Sequence, residues 1–312
     1  MFEHEEVEAK SEAGFWLFRQ EAMLAVLYLL AITGAEVFTN FFSLVGGVIC
    51  HAILLAALIV HSSLAAESAS RKLLLALCLA PLTRILSLSM PLARFSPIYW
   101  YLIIYPPLFL AAWVAMRRLN FTARETGLTA QRLPWQLAVA LTGVIFGVGE
   151  YLILRPEPLI SGLYWAEVLL PAFVLLAGTG FVEEFVFRGV VQRASMEALG
   201  RWGLPYVALV FAVLHLIHYS TNPWDIPFVF AIALFFGWVV NKTGSLLGVT
   251  LAHGITNILL YLIIPLLLSA SGWGWGWEAI YPALIIVLAA LATVFLLALG
   301  LALESWAWRR GW

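Results

Sequence analysis

Residues 44–60 read LVGGVICHAILLAALIV, a run without a single Asp, Glu, Lys or Arg. It shows no alternation of polar and apolar positions, so it reads as a helix surrounded by hydrocarbon rather than a strand. Comparable stretches recur from Met23 to Leu303. Of the 312 residues, 63% are hydrophobic and only 11% charged, against a globular norm of roughly 45–50% and 25%. A soluble core has no room for that much apolar surface. With mean hydropathy at +0.95, the chain reads as all-α, a polytopic bundle of membrane helices, because in lipid every backbone polar group must be satisfied within the segment.

The pattern predicts about ten transmembrane helices, over 22–39, 44–60, 72–90, 98–116, 136–153, 165–193, 203–219, 226–241, 246–268 and 280–303. Residues 1–21 carry Glu3, Glu5, Glu6 and Glu8 beside Lys10 and Arg19. That is not the basic leader of a secretory signal, and it reads as a cytoplasmic tail. Loop charge sets the orientation. Of the 17 Lys and Arg, thirteen fall in one set of alternate loops, Arg94 and Arg155 in the other, and Arg84 and Arg188 inside helices. Both termini are therefore expected in the cytoplasm, and the pattern fits a multi-pass protein of a prokaryotic cell membrane. Net charge is -1, so no basic surface asks for nucleic acid. Cys50 and Cys78 both lie in apolar stretches and support neither a disulfide framework nor a cysteine zinc site. The chain divides at the basic connector 117–135, giving membrane helices and an interfacial segment over 22–134, of unknown role, and a second unit over 135–312. The alternating Gly and Trp residues at 272–277 read as an interfacial aromatic belt.

Ionisable side chains inside membrane helices are costly and mark sites by default. They concentrate in 178–192, GTGFVEEFVFRGVVQ, which holds Glu183, Glu184 and Arg188. Glu184 and Arg188 are spaced i,i+4 with the acid first, the favourable order for an intrahelical pair. Glu183, about 100° around the helix from Glu184, needs a partner from another helix. Two candidates follow: His215, four residues after Phe211, and His253, four before Asn257. From the turn near Gly200, Glu183 and His215 each lie roughly 15–18 Å along a helix, and His253 lies roughly 14 Å from the turn at Gly244, at 1.5 Å per residue. Segments far apart in sequence thus reach one layer and one polar pocket. A purely structural polar knot is the bland alternative. Elsewhere the bland reading is preferred: Arg84 near Ser87 and Ser89 for helix packing or a headgroup contact, His51 for a buried hydrogen bond, His61 for the interface, and Glu36 and Glu150 as residues near helix ends.

Glu183-Glu184-x-x-x-Arg188, Phe211-x-x-x-His215 and His253-x-x-x-Asn257 together resemble the motif set of the CPBP intramembrane proteases, the Abi or CAAX-protease family. The resemblance covers about 165–265 and leaves the first four helices unexplained. It implies a metal-independent, cofactor-free endopeptidase in which Glu183 is the general base and His215 its partner on water. His253 and Asn257 would donate hydrogen bonds to the oxyanion, while Glu184, Arg188 and Phe211 support them. It makes 135–312 the catalytic unit. It also implies a membrane-associated peptide or protein substrate, such as a prenylated CAAX-like tail or a peptide precursor. Two other readings stay open: a zinc-dependent membrane peptidase with Glu183, His215 and His253 as ligands, although no H-E-x-x-H helix is present, and a non-catalytic scaffold or transporter with a buried polar site.

Overall fold

The computed structural model describes residues 2–66, 68–90, 97–162, 164–218 and 221–271. Among them there are helices and no strands. In chain order these are α1 (Phe2–Phe41), α2 (Leu44–Leu64), α3 (Ala69–Leu77), α4 (Leu79–Ser89), α5 (Pro97–Arg118), α6 (Leu133–Leu154), α7 (Trp165–Leu175), α8 (Gln192–Leu199), α9 (Gly203–Val213), α10 (Asp225–Thr243), α11 (Leu247–Ile258) and α12 (Ile264–Ser271). Wider π-helical turns run from Leu176 to Glu183, from Phe185 to Val191 and from Leu259 to Ile263. Eight stretches of the described residues are long and apolar enough to cross a membrane. The protein is a polytopic helical bundle.

The expected sixth and seventh helices both form, joined in one apolar stretch of 47 residues from Glu167 to Val213. The turn between them is made at Gly200, whose φ of +56° lies in the region that favours glycine. The third expected helix is broken at Cys78. Pro81 has no N–H for the Leu77 carbonyl and its ring crowds that oxygen, so the helix restarts at Leu79. The polar N-terminal segment, read as a tail, is helical from Phe2 and continuous with the first span in a helix of 40 residues. The expected helix over 280–303 and the Gly and Trp alternation at 272–277 lie outside the described residues.

One apolar core joins the two halves of the chain. Leu58, Leu73, Leu77 and Leu108 from the first five helices share it with Phe185, Val190, Phe211 and Val249. Outward faces carry exposed Leu27, Leu30, Ile53, Val60, Leu137 and Leu141, as lipid-facing surfaces require. The connector after α5 is tied to the turn between α10 and α11. Leu246 N donates to Gly127 O at 2.8 Å, Thr129 Oγ1 donates to Gly244 O at 2.9 Å and Ser245 Oγ donates to Thr129 O at 2.5 Å. Within the connector, Thr122 and Glu125 cap each other: the Thr122 N–H donates to Glu125 Oε2 and the Glu125 N–H to Thr122 Oγ1. The Thr122 N–H and hydroxyl hold the Glu125 carboxyl below its usual range.

The N-terminal helices contain a buried ionic cluster. Arg84 donates through Nε to Glu36 Oε1 at 2.5 Å, through NH2 to Glu36 Oε2 at 2.9 Å and through NH1 to Ser87 Oγ at 3.2 Å. His51 Nε2 lies 3.1 Å from Glu36 Oε1. Glu36 and His51 are fully buried, so this cluster fastens α1, α2 and α4 to one another. Removing one partner from such a pair typically costs about 3–5 kcal/mol, whereas replacing both by apolar groups is often neutral. Glu36→Gln and Arg84→Met, taken singly, should each lower stability by about that amount. The double variant Glu36→Leu with Arg84→Met should recover most of it. Thermal melts of the detergent-purified protein check this, and a double variant destabilised by the sum of the two singles would show that the ions act independently.

Candidate active site

Pro171 interrupts the helical ladder of α7, and directly after its end, at Leu176, the backbone loosens into the π-helical turns that carry the first motif. The i→i+5 winding puts more residues in each turn, so neighbouring side chains diverge by less than on an α-helix. Consecutive Glu183 and Glu184 therefore both face one cavity. Three glycines let the surrounding helices close on them. A Cβ on Gly178 would overlap the Tyr105 ring, and one on Gly180 would meet Thr250 O at 2.7 Å and Gly254 Cα at 3.1 Å. Small residues at helix crossings serve this close approach. Thr256 Oγ1 donates to Gly143 O at 3.2 Å and the Gly248 N–H donates to Gln136 Oε1 at 2.7 Å, so α6 supports α11 from behind.

Glu184 is fully buried and is the hub of the site. Its Oε1 accepts from Arg188 NH1 at 3.1 Å, the expected intrahelical pair, and from His253 Nδ1 at 2.8 Å. The Arg188 guanidinium lies 4.2 Å from the centre of the Phe211 ring, a cation–π contact. Phe211 also meets the His215 ring at 4.8 Å between centres, and its carbonyl lies 2.9 Å from His215 Nδ1. A carbonyl can only accept, so Nδ1 carries the proton and the neutral ring keeps its lone pair on Nε2. Glu183 Oε1 accepts from the Tyr105 hydroxyl at 2.5 Å, and Glu183 Oε2 lies 3.9 Å from His253 Nε2. One imidazole thus spans both carboxylates, with Nδ1 towards Glu184 and Nε2 towards Glu183.

The cavity has a volume of about 340 Å³, and Glu183, Glu184, Arg188, Phe211, His215, His253 and Asn257 all line it. All seven residues singled out from the three motifs therefore come together. Glu183 finds its direct partners in His253 and Tyr105, whereas His215 shares the cavity without forming an ion pair with Glu183. Among the described residues no three His, Cys, Asp or Glu side chains gather as ligands for one ion. A motif search does not reach the rest of the wall. Tyr105 comes from α5, whose only local signal is the Pro106–Pro107 pair that follows it inside the helix. Glu150 of α6, read from its place near a helix end as needing no role, is buried and faces the cavity. Arg84 reaches the wall from α4, and His218 from the turn after α9. His218 had one sequence signal, its place three residues after His215.

Residues 164–259 match the family model described as Rce1-like, Type II CAAX prenyl endopeptidase Rce1-like. No curated protein and no solved structure matches the chain. The matched segment holds all three motifs and agrees with the resemblance read from them. The match supports an intramembrane endopeptidase acting on membrane-associated peptide or protein substrates. The segment that supplies most of the cavity wall is thus similar to the Rce1-like CAAX endopeptidase family, and it is set in a multi-pass helical membrane protein.

Proposed function

We propose that the protein hydrolyses a peptide bond with a water activated by Glu183 and His215, without a metal ion. The observation that carries this reading is the single cavity shared by Glu183, His215, His253 and Asn257. Tyr105 holds Glu183 Oε1, which leaves Oε2 for a water. His215, with Nδ1 on the Phe211 carbonyl, offers Nε2 as a second acceptor for the same water. Glu183 takes the proton, and the hydroxide adds to the carbonyl carbon. His253 then acts as the imidazolium, with Nδ1–H on Glu184 and Nε2–H towards the oxyanion. Asn257, one helical turn on, adds a neutral donor to the same oxygen. Glu184 and Arg188 hold these groups in place.

The catalytic unit is 135–312, with α4 and α5 closing the wall through Arg84 and Tyr105. The asymmetry of Lys and Arg between alternate loops supports cleavage near the cytoplasmic side of a prokaryotic cell membrane. The substrate in this reading is a membrane-associated chain, either a prenylated CAAX-like tail or a peptide precursor.

Glu183→Gln should abolish proteolysis of a prenylated CAAX peptide in proteoliposomes while keeping the wild-type melting temperature, because the amide keeps the shape but is no base. Turnover by that variant at the wild-type rate would return the site to a binding or scaffolding role. Glu184→Gln should differ in kind. It sets Arg188 and His253 against a neutral amide and should cost about 3–5 kcal/mol of stability as well as activity. Equal melting temperatures for the two variants would contradict the division between base and hub.

Asn257→Ala should lower kcat by about 10²–10³ with KM little changed, the effect of losing one oxyanion donor. A rise in KM at constant kcat would move Asn257 to substrate binding. Chelators should leave wild-type activity intact. Loss of activity with chelator and its recovery with zinc would make Glu183, His215 and His253 metal ligands instead.

A further inference from the structure

Amide hydrolysis needs an acid as well as a base, because an amine leaves poorly without a proton. Of the seven motif residues, Glu183 can return the water's proton and His253 faces the oxyanion in this reading, so none is reserved for the leaving nitrogen. The turn between α9 and α10 holds a second histidine that they do not use. His218 Nδ1 lies 2.9 Å from Asp225 Oδ2, and Asp225 is fully buried at the start of α10. Asp225 Oδ1 is buried with no hydrogen-bond partner. His218 lines the cavity and Asp225 does not. With Nδ1 committed to the carboxylate behind it, the ring has Nε2 left for the cavity. Its ring stands edge-on to His215, 5.7 Å between centres.

The pair is held in a tightly bonded turn. The His218 N–H donates to His215 O at 2.9 Å, and the Asn222 N–H donates to His218 O at 2.9 Å. Asn222 Nδ2 donates to Ile153 O at 3.0 Å, and the Trp224 N–H donates to Asn222 Oδ1 at 3.1 Å. A carboxylate that orients an imidazole and balances the charge of its protonated form is the arrangement that a proton-donating histidine requires.

We propose that His218 is the catalytic residue that protonates the leaving amine, with Asp225 as its positioning residue. The proposal rests on the reading of Glu183 as base. In the step, water gives a proton to Glu183 and its oxygen bonds to the carbonyl carbon. As the tetrahedral intermediate collapses, the C–N bond breaks, its electron pair stays on nitrogen, and that nitrogen takes the proton from His218 Nε2. His218 is left neutral, with Nδ1–H still on Asp225, and recovers a proton through solvent from the Glu183 carboxylic acid. The products are the new carboxyl terminus and the amine, with no redox partner involved.

The test compares two probes in proteoliposomes: a prenylated CAAX peptide, and its analogue with a thioester at the scissile position, whose thiolate leaves without protonation. His218→Gln should lower kcat on the amide by about 100-fold or more with KM little changed, and on the thioester by less than about threefold. Asp225→Asn should repeat the pattern in weaker form, about tenfold on the amide. Equal losses on both probes would make the pair a structural tie and overturn the proposal, as would no loss on either. If His218→Gln does not fold, the amide-to-thioester ratio of Asp225→Asn decides. Glu183→Gln, which should fail on both probes, separates failure of this proposal from failure of the base assignment.

Discussion

Everything at the site depends on one carboxylate. Glu184 is removed from water and cannot stand alone there, since an uncompensated charge in a low-dielectric interior costs several kcal/mol even after relaxation. Its compensation comes from two directions. Arg188 lies one turn along its own chain, and His253 comes from α11. The first contact is local and would form in an isolated helix. The second exists only when α11 packs against the first motif, so full pairing of the Glu184 carboxylate and docking of the two helices are one event. His253 then points its other nitrogen at Glu183, and the site's central geometry follows from a structural requirement of its neighbour.

That docking needs backbones closer than ordinary side chains permit. Gly180 and Gly254 face each other, Gly143 faces Ala252, and Gly178 leaves room for Tyr105. Between lipid-immersed helices the hydrophobic effect offers little, so contact area and hydrogen bonds decide which helices pair. The π-helical winding contributes at the same place. It changes the angular spacing of side chains where two adjacent glutamates must serve different partners, and wider turns of this kind recur at functional sites.

The helices before the matched segment are part of the same body. α4 and α5 provide Arg84, Ser87, Tyr101 and Tyr105 to the cavity wall, and the cluster of Glu36, His51 and Arg84 holds α1, α2 and α4 together. Tyr101 and Tyr105 stack parallel, 5.8 Å between ring centres. The wall facing the motifs is therefore largely aromatic and apolar, with a few hydroxyls and the ionisable side chains of Arg84 and Glu150, and it comes from residues that the family match does not cover.

Relations within one element were legible from the amino-acid sequence, because helical periodicity sets them. Composition alone required a helical membrane bundle. The spacing of Glu184 and Arg188 and of His253 and Asn257 placed each pair on one stretch of helix, and counting from the turns brought the three motifs to one depth, although α9 ends at Val213 and leaves His215 in the turn beyond it. Relations between elements were not legible, since they depend on how helices rotate and tilt against each other. Periodicity could not say that His253 would take Glu184 as its acceptor, that Tyr105 would reach Glu183, or that Glu150 would turn inward rather than end a helix. Nor does local pattern reveal the wider winding from Leu176 to Val191, which alters the facing of both glutamates. Those choices were made by close contacts at glycines and by the demand that each buried charge find a partner, and both come into being only when the helices are assembled.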